Sequence, residues 1–404
     1  MPNQTLSNFL FLPELHLTKI VSPHRGVGFY YLEKCSEFEV CCKCASKSSS
    51  VYDKRQIKIR DEPIRRKQVV LLITKRRFWC RTCCKPFTEP IAGISKGHRT
   101  TARYKRALLW ACENFSDLSK VKKHFHCSPA TVQKACYQEL KNKQKQRQHP
   151  LPKALGLDEH SIHKPKYKAT EYATIVVDHT HKKVLELING RDQGSLQQGF
   201  EKFSGQENIK FVTMDLSSTY RKFARDHFPK AQIIADRFHV HRLFSKALNK
   251  ERKKITGDQR KNPIRKLVLR KANTLERIEY RALLQWMNHH PKLRELYEYK
   301  EAMNRFYEIK GIERAKLALI RLLDRMGRST QEVVQNLRKV LLNWRNEILG
   351  YFINGLSNGR VEGFNRKAKL LQRKAYGYSK FENYRLRLLH ECCGKASRRL
   401  PTIK

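Results

Sequence analysis

The sequence predicts a mixed α/β protein with a cysteine-rich N-terminal region, a short helical region and a larger sheet-containing domain. Three observations carry this prediction. Two Cys-x-x-Cys pairs come first, five strand-like apolar runs lie between residues 153 and 240, and a long helical stretch dense in Lys and Arg follows. The boundaries that these changes in pattern suggest are 1–95, 96–145 and 153–404, with a helical insertion at about 241–355 inside the last domain.

The composition indicates a polyanionic partner. The 404 residues include 84 Lys+Arg against 37 Asp+Glu, a formal net charge of +47 that is spread along the whole chain. Nucleic acid is the usual partner of such a protein, with a ribosome-associated or anionic-membrane protein as the alternative. No apolar run is long enough for a membrane span, and the segment 8–14 lacks the basic leader of a signal peptide. We therefore expect a cytoplasmic protein that binds DNA and no membrane.

The twelve cysteines are expected to be reduced thiols or metal ligands. Two Cys-x-x-Cys pairs on turns supply four thiolates at tetrahedral reach, which predicts a zinc ribbon with one structural Zn²⁺. The 35 residues between Cys44 and Cys80 exceed the usual spacing, so unrelated buried cysteines are the alternative. The adjacent Cys42 and Cys84 could be confused with the ligands. The predicted zinc ligands are Cys41, Cys44, Cys80 and Cys83.

A helix, a tight turn and a second helix are predicted over residues 117–137. Ser128 can cap the second helix and Pro129 occupies its first position, which is a strong start signal. In a helix-turn-helix domain the second helix enters the major groove of DNA, and a plain helical hairpin is the alternative. Residues 141–150 contain no apolar side chain and end in Pro, so they are a linker or a frayed helix end. The residues offered to DNA would be Thr131, Gln133 and Lys134.

Residues 153 to 240 have the pattern of a mixed sheet with crossover helices. Strands are predicted at 154–158, 172–178, 183–189, 209–215 and 231–236, and helices at about 195–203 and 217–227. Three antiparallel strands followed by two crossover strands is the order of a ribonuclease H-like domain. The first and fourth strands are neighbours in that topology. Asp158 and Asp215, which end these two strands, are therefore expected at adjacent strand tips.

A helix is predicted to begin near Ser357 or Asn358, either of which can cap it. Glu362 then falls in the first turn, where the helix dipole favours a carboxylate. An ordinary amphipathic surface helix is the alternative. Successive residues of a helix are rotated by about 100°, so this segment has one polar stripe and one apolar stripe along its surface. The polar stripe holds Glu362, Asn365, Arg366, Lys369 and Arg373; the apolar stripe holds Val361, Phe364, Ala368, Leu371 and Ala375.

Asp158, Asp215 and Glu362 are the predicted catalytic metal ligands. Carboxylate oxygens suit Mg²⁺ or Mn²⁺, and two such ions about 4 Å apart can activate the attacking oxygen and stabilise the leaving oxygen of a phosphodiester. A single Asp is more often a surface or turn residue. Two acids at strand ends followed by an acid in the first turn of a helix are much less expected by chance.

Other acids compete for the same role. Asp178 lies at a hairpin turn, where Asp is common, and Asp192 is expected to cap a helix. Asp236 ends the fifth strand, with His239 one helical turn later. We interpret Asp236 and His239 as accessory or positioning residues, with a buried structural pair as the alternative.

Four segments carry a family resemblance. Residues 155–161, 214–220, 235–240 and 357–365 resemble the signature blocks of DDE transposases, in particular the bacterial insertion-sequence family ISL3. That family also opens with a zinc ribbon and a helix-turn-helix, so the resemblance covers about residues 35–390. It implies a catalytic triad of Asp158, Asp215 and Glu362. Asp236 and His239 resemble the Asp/Cys-x-x-His motif of DDE enzymes with a helical insertion. The doubled Cys41-Cys42 departs from the family's lone cysteine followed by Pro.

The resemblance implies a DNA transposase that works as a homodimer or higher oligomer at the bacterial nucleoid. It would bind terminal inverted repeats and target DNA, and its two Mg²⁺ or Mn²⁺ ions would support hydrolysis and strand transfer. A non-catalytic DNA-binding regulator and a structure-specific nuclease are the alternatives. The residues expected to contact phosphates are Arg366, Lys367, Lys369 and Arg373.

Overall fold

The computed structural model describes residues 14–24, 26–115, 117–145, 150–163, 171–257 and 262–393. The chain divides into two compact units, one of residues 1–143 with 374–376 and one of residues 144–373 with 377–404. Each unit has hydrophobic core clusters of its own. Within the described ranges, no helix is both long and apolar enough to cross a bilayer.

The first unit contains a five-stranded sheet and a small hairpin. Its strands are β1 (Leu15–His24), β2 (Val27–Lys34), β3 (Glu39–Val40), β4 (Lys47–Ser48), β5 (Val51–Ile64), β6 (Lys67–Cys80) and β7 (Lys85–Thr88). The sheet order is β1-β2-β6-β5, with β7 also paired to β6, while β3 and β4 form the hairpin. The first half of β6 is an apolar run, and its Leu71 and Ile73 are fully buried.

Three helices complete the first unit: α1 (Ala102–Asn114), α2 (Leu118–Phe125) and α3 (Pro129–Lys145). The turn between α2 and α3 contains His126 in a left-handed conformation. The hydroxyl of Ser128 accepts the backbone N–H of Thr131 at 3.2 Å, and Pro129 is the first residue of α3, as the start signal predicted. Of the predicted linker, residues 141–145 are helical and residues 146–149 lie outside the described ranges.

The second unit is built on a mixed five-stranded sheet. In chain order it contains β8 (Ala154–His163), β9 (Glu171–Asp178), β10 (Lys183–Asn189), α4 (Gln193–Phe200), a 3₁₀ turn (Gln206–Asn208), β11 (Phe211–Met214), α5 (Ser218–His227) and β12 (Gln232–Ala235). The sheet order is β10-β9-β8-β11-β12. β9 is antiparallel to β8 and β10, whereas β11 is parallel to β8 and β12.

A large helical block follows the last strand. It consists of α6 (Arg237–Thr256), α7 (Pro263–Leu269), a 3₁₀ turn (Ala272–Thr274), α8 (Arg277–Asn288), α9 (Pro291–Phe306), α10 (Ile312–Gly327), α11 (Glu332–Asn343) and α12 (Arg345–Asn354). These helices share one core, in which Phe244, Leu283 and Met326 are fully buried. The chain then returns to the sheet through α13 (Gly359–Lys374) and α14 (Phe381–Cys392).

The sheet of the second unit is covered on both faces. Leu157, Val176 and Met214 belong to a core cluster with residues of α4 and α5. Ile175 and Val177 belong to a second cluster with residues of α13 and α14. This alternation along β9 is the expected two-residue period of a strand between two layers.

Gly156 on β8 allows α13 to lie close to the sheet. A Cβ atom at this position would lie 2.5 Å from Cγ2 of Val361 on α13 and 2.6 Å from Nε2 of His179. Real Cβ atoms do not approach other atoms this closely, so any side chain at residue 156 must push the helix or the histidine away.

We predict that Gly156→Ala lowers the stability of the second unit by about 1–3 kcal/mol, the usual cost of overpacking a core. The midpoint of its calorimetric unfolding transition should fall. Gly363→Ala on α13 is the matched control, because a Cβ there meets nothing within 4 Å and Ala is the better helix former by about 0.5–1 kcal/mol. A transition of Gly156→Ala at or above that of the wild type would contradict the close approach.

Candidate active site and cysteine cluster

The parallel pairing of β8 and β11 places two carboxylates side by side. Leu157 and Met214 form the last pair of this ladder, and Asp158 and Asp215 follow them directly. The prediction that β8 ends at Asp158 is wrong. The strand continues to His163 because its second half remains paired with β9 beyond the end of the shorter β11. Asp158 is therefore a mid-strand residue beside the end of β11.

Asp158 is buried, with 8% of its surface exposed. Burial raises the pKa of its carboxyl to about 8, and the neighbouring Asp215 carboxylate acts in the same direction. The amide nitrogen Nδ2 of Asn365 donates to Oδ2 of Asp158 at 2.6 Å, which favours the ionised form. Two adjacent carboxylates can both ionise at neutral pH only if a cation compensates them.

Asp215 faces the imidazole of His239. Nδ1 of His239 lies 2.9 Å from Oδ1 of Asp215 and donates a hydrogen bond to Oδ2 of Asp236 at 3.1 Å. One N–H cannot point at both oxygens, and Oδ1 of Asp215 is buried with no hydrogen-bond partner among the described residues. Burial lowers the pKa of His239, but the attraction of the two carboxylates, Asp215 and Asp236, outweighs this and raises it to about 10.

The donor set fits a hard divalent cation. One ligand atom each from Asp158, Asp215 and His239 lies within 4.8 Å of the others. Carboxylate oxygens are the preferred ligands of Mg²⁺ and Mn²⁺, whereas the imidazole of His239 would bind an ion only after losing the proton that it donates to Asp236. The unpartnered oxygen of Asp215 and the raised pKa of Asp158 are both relieved by a bound cation.

Glu362 lies in the first turn of α13, as predicted, but its carboxylate is outside this group of mutually close ligand atoms. Its side chain is 41% exposed and forms an ion pair of 2.7 Å with Arg366. Asn365, three residues later on the helix, makes the contact with Asp158 instead. Two of the three predicted ligands are therefore together, and the third lies at the surface, where a cationic partner one turn away favours it.

The competing acids are also placed. Oδ1 of Asp178 accepts the backbone N–H of His181 in the β9–β10 turn, and Asp192 caps α4 by accepting the N–H of Ser195. Both predicted structural roles are present. Asp236 precedes the first residue of α6, and its Oδ1 accepts the backbone N–H of Asn358.

The four predicted zinc ligands lie in one cluster. The Sγ atoms of Cys41, Cys44, Cys80 and Cys83 are all within 4.8 Å of one another, with 3.5 Å between Cys44 and Cys80. A tetrahedral Zn²⁺ with Zn–S bonds of about 2.3 Å places its sulfurs about 3.8 Å apart, so the cluster fits the ion.

The two Cys-x-x-Cys turns have equivalent conformations. Ala45 and Cys84, which each follow the second cysteine of a pair, are both left-handed, with φ of 59° and 50°. The bonds of Cys44 with Ser46 lower the pKa of that thiol to about 6. Cys42 and Cys84, the possible rivals, are exposed and belong to no ligand group among the described residues.

Comparison with known families decides the identity. Residues 155–388, more than half of the chain, match the ISL3 family of DDE transposases. The chain belongs to this transposase family. Residues 37–83 match the zinc finger of the IS204, IS1001, IS1096 and IS1165 transposases, and this match includes all four clustered cysteines.

Two curated relatives agree with this assignment. The chain is 25% identical to the transposase for insertion sequence element IS1001 of Bordetella parapertussis. The matched region covers 89% of this chain and 90% of the relative. The chain is 27% identical to the transposase for insertion sequence element IS1557 of Mycobacterium tuberculosis over 55% of its length and 56% of the relative.

Sequence reasoning missed two asparagines of the transposase site. Asn358 is 2% exposed, and its Nδ2 donates to the carbonyl of Leu157 at 3.0 Å while its Oδ1 accepts from the hydroxyl of Thr213. Asn365 was placed on the polar stripe of the helix but is buried against Asp158. An uncharged amide within a stripe of cations was the available signal.

The cations of α13 lie where DNA could reach them. Arg366, Lys369 and Arg373 are exposed, and 78% of the Arg366 side chain is accessible. Lys367 is also exposed, but its ammonium donates to the carbonyl of Glu391 on α14. All four side chains that are predicted to contact phosphates are therefore exposed, and Lys367 also has a hydrogen-bond partner on α14.

We predict that Cys80→Ser removes the bound zinc and unfolds the region around β6 and β7, because a structural zinc site contributes directly to folding. The purified wild type should contain one zinc per chain by elemental analysis, and the variant close to none. Cys42→Ser, next to a cluster member but exposed, should keep its zinc. Equal zinc loss in both variants would contradict the assigned ligand set.

Proposed function

We propose that this transposase binds the terminal inverted repeats of an insertion sequence and catalyses metal-dependent hydrolysis and strand transfer in a ribonuclease H-like domain of residues 153–404. The observation that carries the proposal is the adjacency of Asp158 and Asp215 on two parallel strands beneath α13. The sheet order, with an antiparallel three-stranded half and two parallel crossover strands, supports the domain assignment.

The catalytic residues in this proposal are Asp158, Asp215 and Glu362, which would hold two Mg²⁺ or Mn²⁺ ions. Bound ions of this kind activate the attacking oxygen and stabilise the leaving oxygen of an in-line phosphoryl transfer. Asp158 and Asp215 are held by the sheet, whereas Glu362 must leave Arg366 to join them. An exposed i,i+4 ion pair contributes only about 0.3–0.5 kcal/mol, so the exchange costs little. Arg366 is then available to a phosphate.

Asp236 and His239 act as positioning residues. Asp236 binds the imidazole of His239 through one oxygen and the backbone N–H of Asn358 through the other. It therefore joins the start of α6 to the segment that leads into α13. His239 supplies positive charge beside Asp215. Together they hold the helix that carries Glu362 against the strands that carry the two aspartates.

The reaction would proceed in two steps at the same carboxylates. Water first attacks the phosphodiester at an end of the element and releases a 3′-hydroxyl. That hydroxyl then attacks a phosphate of the target DNA and displaces the 3′-oxygen of the target strand, so one new phosphodiester bond replaces one broken bond and the element is joined to the target. A homodimer or higher oligomer would hold two ends together. The curated relatives are named as transposases of insertion sequence elements, which supports this activity.

End recognition is assigned to the first unit. The zinc ribbon lies within residues 1–95, and α1 to α3 within residues 96–145 form a helix-turn-helix domain in this proposal. Thr131, Gln133 and Lys134 are exposed in the first turns of α3, which supports their contact with the major groove. The formal charge of +47 favours DNA throughout, and the place of action would be the bacterial nucleoid.

We predict that Asp158→Asn, Asp215→Asn and Glu362→Gln each reduce strand transfer roughly 100-fold or more, equivalent to about 2.7 kcal/mol of lost transition-state stabilisation. The assay uses labelled DNA with the element's ends and either Mg²⁺ or Mn²⁺. End binding should be nearly unchanged. Glu382→Gln, an exposed acid in the first turn of α14, is the matched control for Glu362.

The outcomes separate the rival functions. Metal-dependent cutting without joining by the wild type would indicate a nuclease. Tight end binding with no product would indicate a non-catalytic regulator. Full strand transfer by Glu362→Gln would show that Glu362 is not a catalytic ligand.

We predict different effects for two neighbours on α3. Lys134→Ala should weaken all DNA binding and reduce the slope of log affinity against log salt by about 1, because one phosphate contact is lost. Gln133→Ala should cost about 1–3 kcal/mol on the cognate ends alone. Titrations at several salt concentrations measure both. Lys105→Ala, an exposed lysine of α1, is the charge-matched control. Equal losses for Lys105→Ala and Lys134→Ala would contradict a specific role for α3.

A further inference from the structure

A buried chain of hydrogen bonds leads from the C-terminal helix α14 to Asp158. The hydroxyl of Tyr384 is 2.6 Å from Nε2 of His160, and Nδ1 of His160 is 3.0 Å from Oδ1 of Asn365. Nδ2 of Asn365 is 2.6 Å from Oδ2 of Asp158. Tyr384 and His160 have no exposed surface, and Asn365 is 8% exposed. The four side chains come from α14, β8 and α13.

The backbone carbonyl of Glu159 fixes the direction of every bond in this chain. A carbonyl only accepts, so Nδ2 of Asn365 is the NH₂ group that faces both Glu159 and Asp158, and the oxygen of the amide faces His160. Nδ1 of His160 must then donate and Nε2 accept, which makes the Tyr384 hydroxyl the donor. The second hydrogen of the Asn365 amide points to the carbonyl of Glu159 at 3.3 Å, so the amide cannot be reversed without loss of both bonds.

The surroundings of Tyr384 give no other reason for a polar chain. Tyr384 belongs to an apolar cluster with Val177, Leu388 and Leu389, and its ring stacks on that of His160 with 5.7 Å between centroids. Buried polar groups cost free energy unless all are satisfied, and an apolar core of the same shape is usually as stable. A fully satisfied polar chain in an apolar cluster, ending on a candidate metal ligand, indicates a role at that ligand.

We propose that Asn365, His160 and Tyr384 are positioning residues that hold the Asp158 carboxylate in the orientation that binds the divalent cation. The inference rests on the proposed metal site. With Oδ2 held by Asn365, the rotation of the carboxylate is fixed, and so is the direction of its other oxygen. Tyr384 in turn fixes the ring of His160, so α14 contributes to metal affinity without touching the metal.

The deciding variant is Tyr384→Phe, which removes one hydroxyl and keeps the stacked ring. Free and bound Mn²⁺ are measured by electron paramagnetic resonance in zinc-loaded full-length protein without DNA. Outer partners of metal ligands usually contribute about 10–100-fold in affinity. We expect roughly 10-fold weaker Mn²⁺ binding for Tyr384→Phe and a larger loss for Asn365→Ala. DNA cleavage by Tyr384→Phe should need more Mn²⁺ yet reach the wild-type maximal rate.

Tyr220→Phe is the matched control. Tyr220 is 1% exposed, and its hydroxyl lies 2.9 Å from that of Thr174, a pair that is not part of the chain from Tyr384 to Asp158. Both tyrosine variants lose one buried hydrogen bond, and their unfolding transitions are compared directly. The proposal requires a weaker Mn²⁺ affinity in Tyr384→Phe than in Tyr220→Phe.

Mn²⁺ affinity of Tyr384→Phe equal to that of the wild type, or a loss matched by Tyr220→Phe, would overturn the positioning role. Asp158→Ala distinguishes failure of the proposed metal site from failure of the positioning role. If this variant and the wild type bind Mn²⁺ equally, the proposed metal site itself is wrong, and the inference fails with it. If Asp158→Ala alone loses Mn²⁺, the site stands and only the role of the buried chain is rejected.

Discussion

The acid site depends on the close approach of α13 to β8 and β11. The approach is possible because residue 156 has no side chain, so Val361 can sit where a Cβ would be. At this distance Asn358 reaches the backbone of Leu157 and the hydroxyl of Thr213, and one helical turn beyond Glu362 the amide of Asn365 reaches Asp158. A helix held farther away would keep its own hydrogen bonds but lose all of these. The geometry of the carboxylates is therefore set by packing first and by hydrogen bonds second.

The electrostatics of the site oppose those of the chain as a whole. The protein carries a formal charge of +47, yet its buried centre brings Asp158, Asp215 and Asp236 together around one imidazole. The carboxylates Asp215 and Asp236 raise the pKa of His239, whereas burial and the neighbouring Asp215 raise the pKa of Asp158 against the opposing effect of the imidazole. Burial removes water that would otherwise solvate the charged carboxylates. A bound divalent cation would offset the remaining negative charge of this centre, and the net positive charge of the chain favours a polyanionic partner.

Features that depend on residues close together in the sequence could be predicted, and features that depend on contacts between distant residues mostly could not. The cysteine pairs and the start of α3 depend on local spacing, and Asp158 and Asp215 become neighbours through the order of strands. The length of β8 could not be predicted, because its second half exists only through pairing with β9. The five-stranded sheet of the first unit was not predicted for a similar reason, since β2 pairs with β6 across a long stretch of chain. The exposed position of the Glu362 side chain, paired with Arg366, could not be predicted, because no sequence pattern gives the choice of rotamer.

The helical insertion, α6 to α12, separates Glu362 from the two aspartates along the chain, yet the chain returns to the same sheet in α13. The insertion packs against the sheet, because its last helix, α12, lies along the edge strand β12. Gly350 permits this contact, since a Cβ there would lie 2.8 Å from the carbonyl oxygen of Ile233. The buried Glu347 adds an ion pair of 2.9 Å with Arg225 on α5. The start of α13 is thereby fixed from both sides, by α12 packed on β12 and by Asp236 through Asn358. The position of α13 over the sheet therefore depends on the correct folding of the insertion.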